Sequence, residues 1–567
     1  MNKKLPVQAP IEVGDTPQDL LARAQQAEDP TQDLLQLVTL VSGNSCPKAL
    51  EIAKLVTAKY SATSSDPELL LVKATCLLEL QQYKEAERWL ERIPDNSDFM
   101  QQKHQLLVQA YQQTRRFWLA ANSLHLSSEP GREVDLQIWQ LLLNLSDDEI
   151  SQHLAEISVL NPVLQLLQRQ RQLSRDFIQA KQNILSWQAR FASHSFAQQL
   201  PEPLQNIMAQ TLPQFKKITV LLPLSGQLKA QGEAIKEGIL AANFAQYYTD
   251  RQLTFIDTAN WLNELPSTLE LSGTDLVIGP LIKDNIEQVK PLIPQGISVL
   301  FLNRADIDIP EEQHFFYSLA PEDEAVQLAS SLAGQGIKYP MIIAADSATY
   351  QRMKDAFVSS WQEKQQTLPV TLEFSDNNAV RRGVNDKLAL TDSKARVRQI
   401  SNLLKPELHS FERNRRDIDA IIIFANATQT ELINPLIEAS TSPFSAIIPV
   451  YATSRSFSRN LSENDLRDLR NLNFIEMPWM LDSPAYSGLR KRAEQLWPGR
   501  RDALQRLFAM GYDALNMAPY LPLLANLKNQ SWQGLSGQIT LNAAHQTIRR
   551  TSTAQFSEQE IKVITND

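Results

Sequence analysis

Two hydrophobic patterns divide this chain. Up to about residue 215, Leu, Ala and other apolar residues recur three and four positions apart among Gln, Glu and Lys, as in VKATCLLELQQYKEAERWLERI, which is the spacing of amphipathic helices. From Lys216 onward, short runs of Val, Ile and Leu alternate with helical stretches, at 217–223, 253–258, 275–280, 297–303, 339–346, 368–374, 417–426 and 445–454. Runs this apolar, each leading into a helix, predict parallel strands covered on both faces. Eight of them over this length predict two sheets rather than one. The late stretch GQITLNAAHQTIRRTSTAQFSEQEIKVI predicts antiparallel pairing that closes an edge, with Ile539 and Leu541 on one face and a turn near Asn542.

Glycine and proline mark the same division. Gly14, Gly43 and Gly131 are the glycines before residue 216, and fourteen of the 17 follow it. Between the two patterns, Pro201, Pro203 and Pro213 interrupt helix propagation. The expected organisation is a flexible segment over 1–15, a helical domain over 16–200, a linker over 201–215 and an α/β domain over 216–567.

Inside the helical part, LLLVKATCLLELQQYKEAERWLERI and HQLLVQAYQQTRRFWLAANSLHL align at an offset of 34 residues. Ala74 falls on Val108, Leu77 on Tyr111, Tyr83 on Phe117, Ala86 on Ala120 and Leu90 on Leu124. An aromatic residue three before a small alanine, at this period, resembles the tetratricopeptide repeat. The resemblance implies a solenoid that offers surface for protein contact; the plainer alternative is an irregular helical bundle.

Composition removes several functions. With 567 residues, 43% hydrophobic and 21% charged, the chain has the composition of a globular protein of several domains. A net charge of −9 argues against nonspecific nucleic-acid binding. No run of about 18 apolar residues is present to span a membrane, and MNKKLPVQAP lacks the apolar core of a signal peptide. The seven histidines are scattered without ligand spacing, so no metal is expected. Cys46 and Cys76 show neither Cys-x-x-Cys nor zinc spacing; small buried core residues are the favoured reading and one disulfide the alternative.

The stretch VLLPLSGQLKAQGEAIKEGI, residues 220–239, breaks from strand to helix at a Ser-Gly turn, a place where phosphates are often bound. Gly226 is not followed by the Gly-x-Gly-x-x-Gly spacing of a dinucleotide site, and a Walker loop is absent. Asp257, at the end of the second strand, imitates a ribose-binding acid but stands alone. Leu228, Gly232, Ile235, Ile239 and Ala242 share one helix face and are expected on the sheet, with Gly232 permitting a close approach. Ser225 lacks the flanking glycines of a nucleophile elbow. No catalytic constellation or cofactor site emerges.

KITVLLPLSGQLKAQGEAIKEGILAA, DLVIGPL, RRDIDAIIIFANATQTELINPL and LSGQITLNAAHQTIRR together resemble the type I periplasmic-binding-protein fold, two doubly wound lobes facing across a cleft. Behind a tetratricopeptide-like region, that arrangement is similar to the LpoA family of penicillin-binding-protein activators, which are outer-membrane lipoproteins. The fold class expected is therefore an all-α solenoid followed by a two-lobed α/β module. The resemblance implies a non-enzymatic regulator that binds a bifunctional class A penicillin-binding protein and stimulates peptidoglycan cross-linking, with peptidoglycan itself a further contact and no nucleic acid. It also implies the periplasmic face of the outer membrane, reached through lipid on an N-terminal cysteine; no cysteine precedes Cys46 here.

The alternative is a periplasmic solute receptor for an amino acid, peptide or cell-wall fragment. Ser225, Gln227, Gly279, Pro280, Asn303, Ser347, Asn426 and Thr428 fall at strand ends and would line its cleft. Ser225, Ser347 and Thr428 equally suit helix capping, the favoured role. Between Arg381 and Arg416, ten basic residues face four acidic ones, a net +6. The stretch is read either as a solvated excursion or as a docking patch for an acidic partner, carried by Arg381, Arg382, Arg396 and Arg398.

Overall fold

The computed structural model describes residues 16–564 apart from 28–29, 61–62, 64, 246–249, 262–268, 306–310, 404–412, 443–444, 528–529 and 558–559; the segment expected to be flexible, 1–15, lies outside the described residues. The chain divides between Gln210 and Thr211 into two compact units.

The first unit is helical: α1 (Pro17–Gln26), α2 (Thr31–Ser42), α3 (Cys46–Lys59), α4 (Pro67–Glu79), α5 (Tyr83–Leu90), α6 (Met100–Gln113), α7 (Phe117–Ser127), α8 (Arg132–Leu142), α9 (Asp147–Leu154), α10 (Asn161–Gln172), α11 (Phe177–Arg190), α12 (Ser195–Gln198) and α13 (Glu202–Ala209). The 34-residue period is present in the backbone. Gln81 and Arg115, 34 positions apart, both take the left-handed conformation, at φ 60° and 58°. The N–H after each returns to the carbonyl five residues back, Gln82 to Leu77 (2.8 Å) and Arg116 to Tyr111 (2.9 Å). This closure satisfies end carbonyls of α4 and α6 and turns the chain back sharply. The following helix then starts on Tyr83 or Phe117 and buries Ala86 or Ala120 completely. A methyl side chain at that position lets the helices of each pair approach closely.

Two expectations for this unit are corrected. Cys46 and Cys76 are not free thiols but a disulfide. Cys46 opens α3 and Cys76 lies on the buried face of α4, and packing of these helices brings their Cα atoms to 4.9 Å, within bridging range. Sequence spacing carries no trace of that approach. The stretch read as a linker contains α13, whose Leu204 and Ile207 are buried. Pro203 sits in its first turn, where the missing N–H costs nothing.

The second unit begins with β1 (Lys217–Leu222), α14 (Lys229–Ala245), β2 (Gln252–Asp257), β3 (Leu276–Ile278), α15 (Lys283–Val289), β4 (Ser298–Phe301) and β5 (His314–Phe316). These strands form a parallel sheet in the order β2-β1-β3-β4-β5. A second lobe follows: α16 (Pro321–Gly334), β6 (Pro340–Ala345), α17 (Ala348–Gln365), β7 (Val370–Phe374), α18 (Asn377–Lys387), α19 (Leu390–Leu403), β8 (Ala420–Phe424), α20 (Ala427–Ala439), β9 (Val450–Ala452), α21 (Glu463–Asp468) and β10 (Leu472–Glu476). Then come α22 (Ser487–Leu496), α23 (Asp502–Met517), α24 (Leu521–Asn526), β11 (Trp532–Gln533), β12 (Gln538–Leu541), β13 (Thr547–Arg550), β14 (Ser552–Phe556) and β15 (Ile561–Ile564).

The second sheet runs β15-β14-β10-β9-β8-β6-β7, parallel from β7 to β10 and antiparallel at β14 and β15. All eight expected strands form. β5 and β10 were not foreseen, because three residues of β5 and the Asn and Glu within β10 hide the apolar run. The late hairpin turns at Asn542 as expected, but within a separate sheet, β11-β12-β13; β14 and β15 close the edge of the large one.

Segments after β10 return to the first lobe. Gln546 Nε2 donates to Ala305 O (2.8 Å) and the His545 ring stacks on Phe315. Helix α23 crosses α14 where glycines meet backbone: a Cβ on Gly238 would lie 2.0 Å from Phe508 O, and one on Gly511 2.0 Å from Ile235 O. Gly232, Ile235, Ile239 and Ala242 are buried as expected, but Leu228 is not, since it belongs to the 3-10 turn preceding α14.

Thr211 and Gln214 are exposed, whereas Phe215 and the apolar side of α13 are buried. Limited proteolysis is expected to cut first at 211–214 and to leave a stable fragment beginning near Phe215, identified by mass spectrometry. First cleavage within 216–564 would show that the division does not correspond to separately stable units.

Candidate functional site

The Ser-Gly turn after β1 is already filled. Asp257, at the end of the neighbouring β2, accepts hydrogen bonds from Leu224 N (2.8 Å) and Ala259 N (3.0 Å). Burial works to raise its carboxyl, but the Ser225 side chain and the N–H groups of Ala259, Leu224 and Ser225 outweigh it and hold the group below its ordinary value. The donors an incoming anion would use thus serve an internal carboxylate. Asp257 organises the turn. Ser225 bonds this carboxylate and makes no side-chain cap on the turn that follows, which corrects its reading as a cap.

The eight strand-end residues fall in two groups, one per sheet. Ser225, Gln227, Gly279, Pro280 and Asn303 follow the adjacent strands β1, β3 and β4; Ser347, Asn426 and Thr428 follow the adjacent strands β6 and β8. Ser225 and Gln227 are exposed, and Gly279 and Pro280 are buried. Asn303 closes its own turn, its Nδ2 donating to Leu281 O and its Oδ1 accepting from Arg304 N, both at 2.9 Å. Ser347 caps α17, accepting from Tyr350 N (3.4 Å). The cap of α20 is Asn426, in a reciprocal pair with Gln429, and not Thr428, which lies inside the first turn and is exposed.

The chain passes between the lobes after β5, after β10 and after β13, and a buried polar network joins these passages. Arg549 of β13 donates from Nη2 to Glu324 of α16 (3.2 Å) and from Nη1 to Ser536 O (3.2 Å). Glu324 also accepts from Ser454 N (3.0 Å) and Ser454 Oγ (2.9 Å). Arg506 of α23 pairs with Glu476 at the end of β10 and donates to Ser454 O (2.7 Å). Burial pushes the Glu476 carboxyl up, and Arg506 pulls it back. Asp513, fully buried on α23, accepts from Leu535 N (2.8 Å) and Ser536 N (2.7 Å), while Tyr317 OH and Ser536 Oγ share a hydrogen bond at 2.7 Å. Nearer the surface, Arg304 pairs with Asp323, and Gln327 brackets Thr551 through three hydrogen bonds. No periodic pattern in the sequence marks this network, because its partners stand up to 225 residues apart. One signal was available: Glu476 interrupts the apolar run NFIEMPWM.

The basic excursion is the helix pair α18 and α19. Arg381, Arg382, Arg396 and Arg398 are all exposed. Asp376 caps α18, its carboxyl held low by the N–H groups of Ala379 and Asn378 and, less strongly, by Arg382. Lys405, Glu407 and Glu412 of the same stretch lie outside the described residues. Among the described residues, no group of three or more His, Cys, Asp or Glu could hold a metal ion, and no helix is long and apolar enough to cross a membrane.

A tetratricopeptide-like helical unit followed by two doubly wound lobes of the type I periplasmic-binding-protein kind defines the class of protein. Residues 14–559 match the family described as "LppC putative lipoprotein", and the chain belongs to that family. Among its relatives are proteins named penicillin-binding protein activator LpoA. That of Photobacterium profundum is 31% identical over 430 residues, 75% of this chain and 70% of the relative. That of Vibrio cholerae is 29% identical over 563 residues, 95% of this chain and 92% of the relative. The solved structure of Haemophilus influenzae LpoA has the same fold, with a TM-score of 0.61 at 18% identity over 98% of this chain and 99% of that one.

Removing one partner from a buried pair leaves the other charge uncompensated, so Arg549→Met is expected to lower the unfolding free energy by about 3 to 5 kcal/mol. The double variant Arg549→Met, Glu324→Gln should recover part of that loss in chemical denaturation. Burial raises Asp513 from 3.8 to about 6. The folded state therefore holds this proton more tightly than the unfolded chain, and the resulting stabilisation is complete below about pH 4 and lost as pH rises to about 6. The stability of the natural protein relative to Asp513→Asn should accordingly fall by about 3 kcal/mol across that interval. A flat difference would assign Asp513 an ordinary titration.

Proposed function

We propose that this chain is a non-enzymatic regulator that binds a bifunctional class A penicillin-binding protein and stimulates its transpeptidase activity. The observation that carries the reading is family membership along nearly the whole chain, with relatives named as activators aligned over both units. The two-unit architecture suits it: the helical repeat supplies an extended contact surface, and the lobes supply a folded body tied by buried ion pairs. The family's description as lipoproteins supports a place at the periplasmic face of the outer membrane. The Cys46–Cys76 disulfide supports an oxidising compartment.

The docking surface in this reading is α18 and α19, through Arg381, Arg382, Arg396 and Arg398, with carboxylates of the synthase as counterparts. A solute-receptor function is less well supported, because Asp257, Ser347 and Asn426 already engage strand-end N–H groups that a small anionic ligand would need.

The purified protein is expected neither to cleave nor to cross-link peptidoglycan alone, and to raise cross-linking when a class A synthase is added. Reversing the four arginines to Glu should slow association tenfold or more at low salt with an unchanged melting temperature. The difference should fade at 1 M salt, where the Debye length is about 3 Å instead of about 8 Å. Cross-linking by the protein alone sinks the regulator; a lowered melting temperature with an unchanged association rate places the arginines in intralobe pairing.

A further inference from the structure

The basic helices are continuous with an apolar loop at the entry end of the second sheet. Residues 413–416, leading into β8, are fastened to the α18–α19 pair: Arg415 N–H donates to Leu388 O (2.9 Å) and Arg413 N–H to Ser393 Oγ (2.9 Å). Asn414, buried, ties this segment to the one leading into β9, its Oδ1 accepting from Ser442 N (3.1 Å) and Ser445 Oγ (3.2 Å). On that second segment Ile447 is 78% exposed while the adjacent Ile448 is buried. Residues 445–449 are a wall shared by two recesses. One, of about 490 Å³, has Arg415, Arg416 and Asp419 on its other side. The other, of about 220 Å³, is bounded by α20 and Arg470.

A single exposed isoleucine requires no explanation. This one stands between two concavities, beside the exposed Arg416, on a surface with a strong charge bias. The described residues of 377–416 carry nine Lys or Arg against two Asp, in a chain of net −9. The larger recess sets Ile418, Ile447, Ile448 and Pro449 beside Arg416 and Asp419, with Arg415 paired to Asp417; arginine next to apolar side chains is a composition found in interface hot spots. Charge complementarity fixes the chemistry of the occupant.

We propose that the loop 445–449 is the apolar anchor of the docking surface: an acidic protein surface seats one projecting aliphatic or aromatic side chain in the larger recess beside Ile447, while its carboxylates meet Arg416 and the arginines of α19. This rests on the docking role given above to α18 and α19, and it divides the work between two parts. The exposed charges govern encounter, and the desolvated recess governs how long the complex lasts.

The test is binding kinetics of the full chain with a class A penicillin-binding protein on a biosensor surface. Ile447→Ser should speed dissociation tenfold or more, leave association within twofold, and retain its effect at 1 M salt. Arg381→Glu with Arg396→Glu should do the reverse, slowing association in a salt-dependent way. Leu496→Ser, which removes a similarly exposed leucine from α22, outside both the loop and the basic helices, should change neither rate. Melting temperatures of all three should match the natural chain. Binding intact with dissociation unchanged in Ile447→Ser overturns the anchor and leaves the regulator reading standing. Absence of any binding by the natural chain overturns both.

Discussion

The pairing of Arg549 with Glu324 holds the α/β unit in one arrangement. It joins the last strand of the small sheet to the first turn of α16, which begins the second lobe, and both side chains are almost wholly buried. Neither charge has water to fall back on, so each depends on the other and on the donors around it. Ser454 supplies two of those donors to Glu324, and its carbonyl accepts from Arg506, which in turn neutralises Glu476. One serine thus couples two ion pairs that lie on different passages between the lobes. The position of α16 at this junction also has a local cause, because its first turn carries Glu322, Asp323 and Glu324, a charge pattern favoured at a helix N-terminus.

With the passages tied in this way, the strand ends that form a ligand cleft in solute receptors acquire another use. Their backbone donors serve Asp257, Ser347 and Asn426, groups of the protein itself. Helix α14 is gripped along its length, by the Pro223 carbonyl at Gly232 and by α23 at Gly238, and Arg500 pairs with its Glu237. In the reading proposed above, such a body makes its contacts through its outer surface. A protein partner uses that surface readily, because exposed arginines and shallow recesses act in association without any reaction at a buried centre.

The helical unit solves a different problem. Most of its helices bury their faces against neighbours in the chain, so its stability is distributed along the array, and α12 in addition returns to α8, where Phe196 meets Trp139 and Ser195 bonds Asp135. The left-handed turns at Gln81 and Arg115 set the 34-residue repeat, and the disulfide ties α3 to α4, the first helix of that repeat.

Local patterns in the sequence determined the elements. The 34-residue offset, the Val, Ile and Leu runs, the change in glycine use near residue 215 and the turn at Asn542 all follow from periodicity and turn chemistry, which act between near neighbours and are visible in one dimension. They sufficed for the helical repeat, for eight strands in two sheets and for a resemblance to a family. What depended on distant residues was decided by packing alone. The approach of Cys46 to Cys76, the meeting of Arg549 and Glu324, the capture of the Ser225 turn by Asp257 and the seating of Ile447 between two recesses each join segments from 30 to more than 200 positions apart or depend on how such segments stack. Polar and sulfur groups of this kind carry no periodic signature. Their roles come from the environment that the folded chain builds around them, since burial turns an ordinary carboxylate into a charge that must be matched.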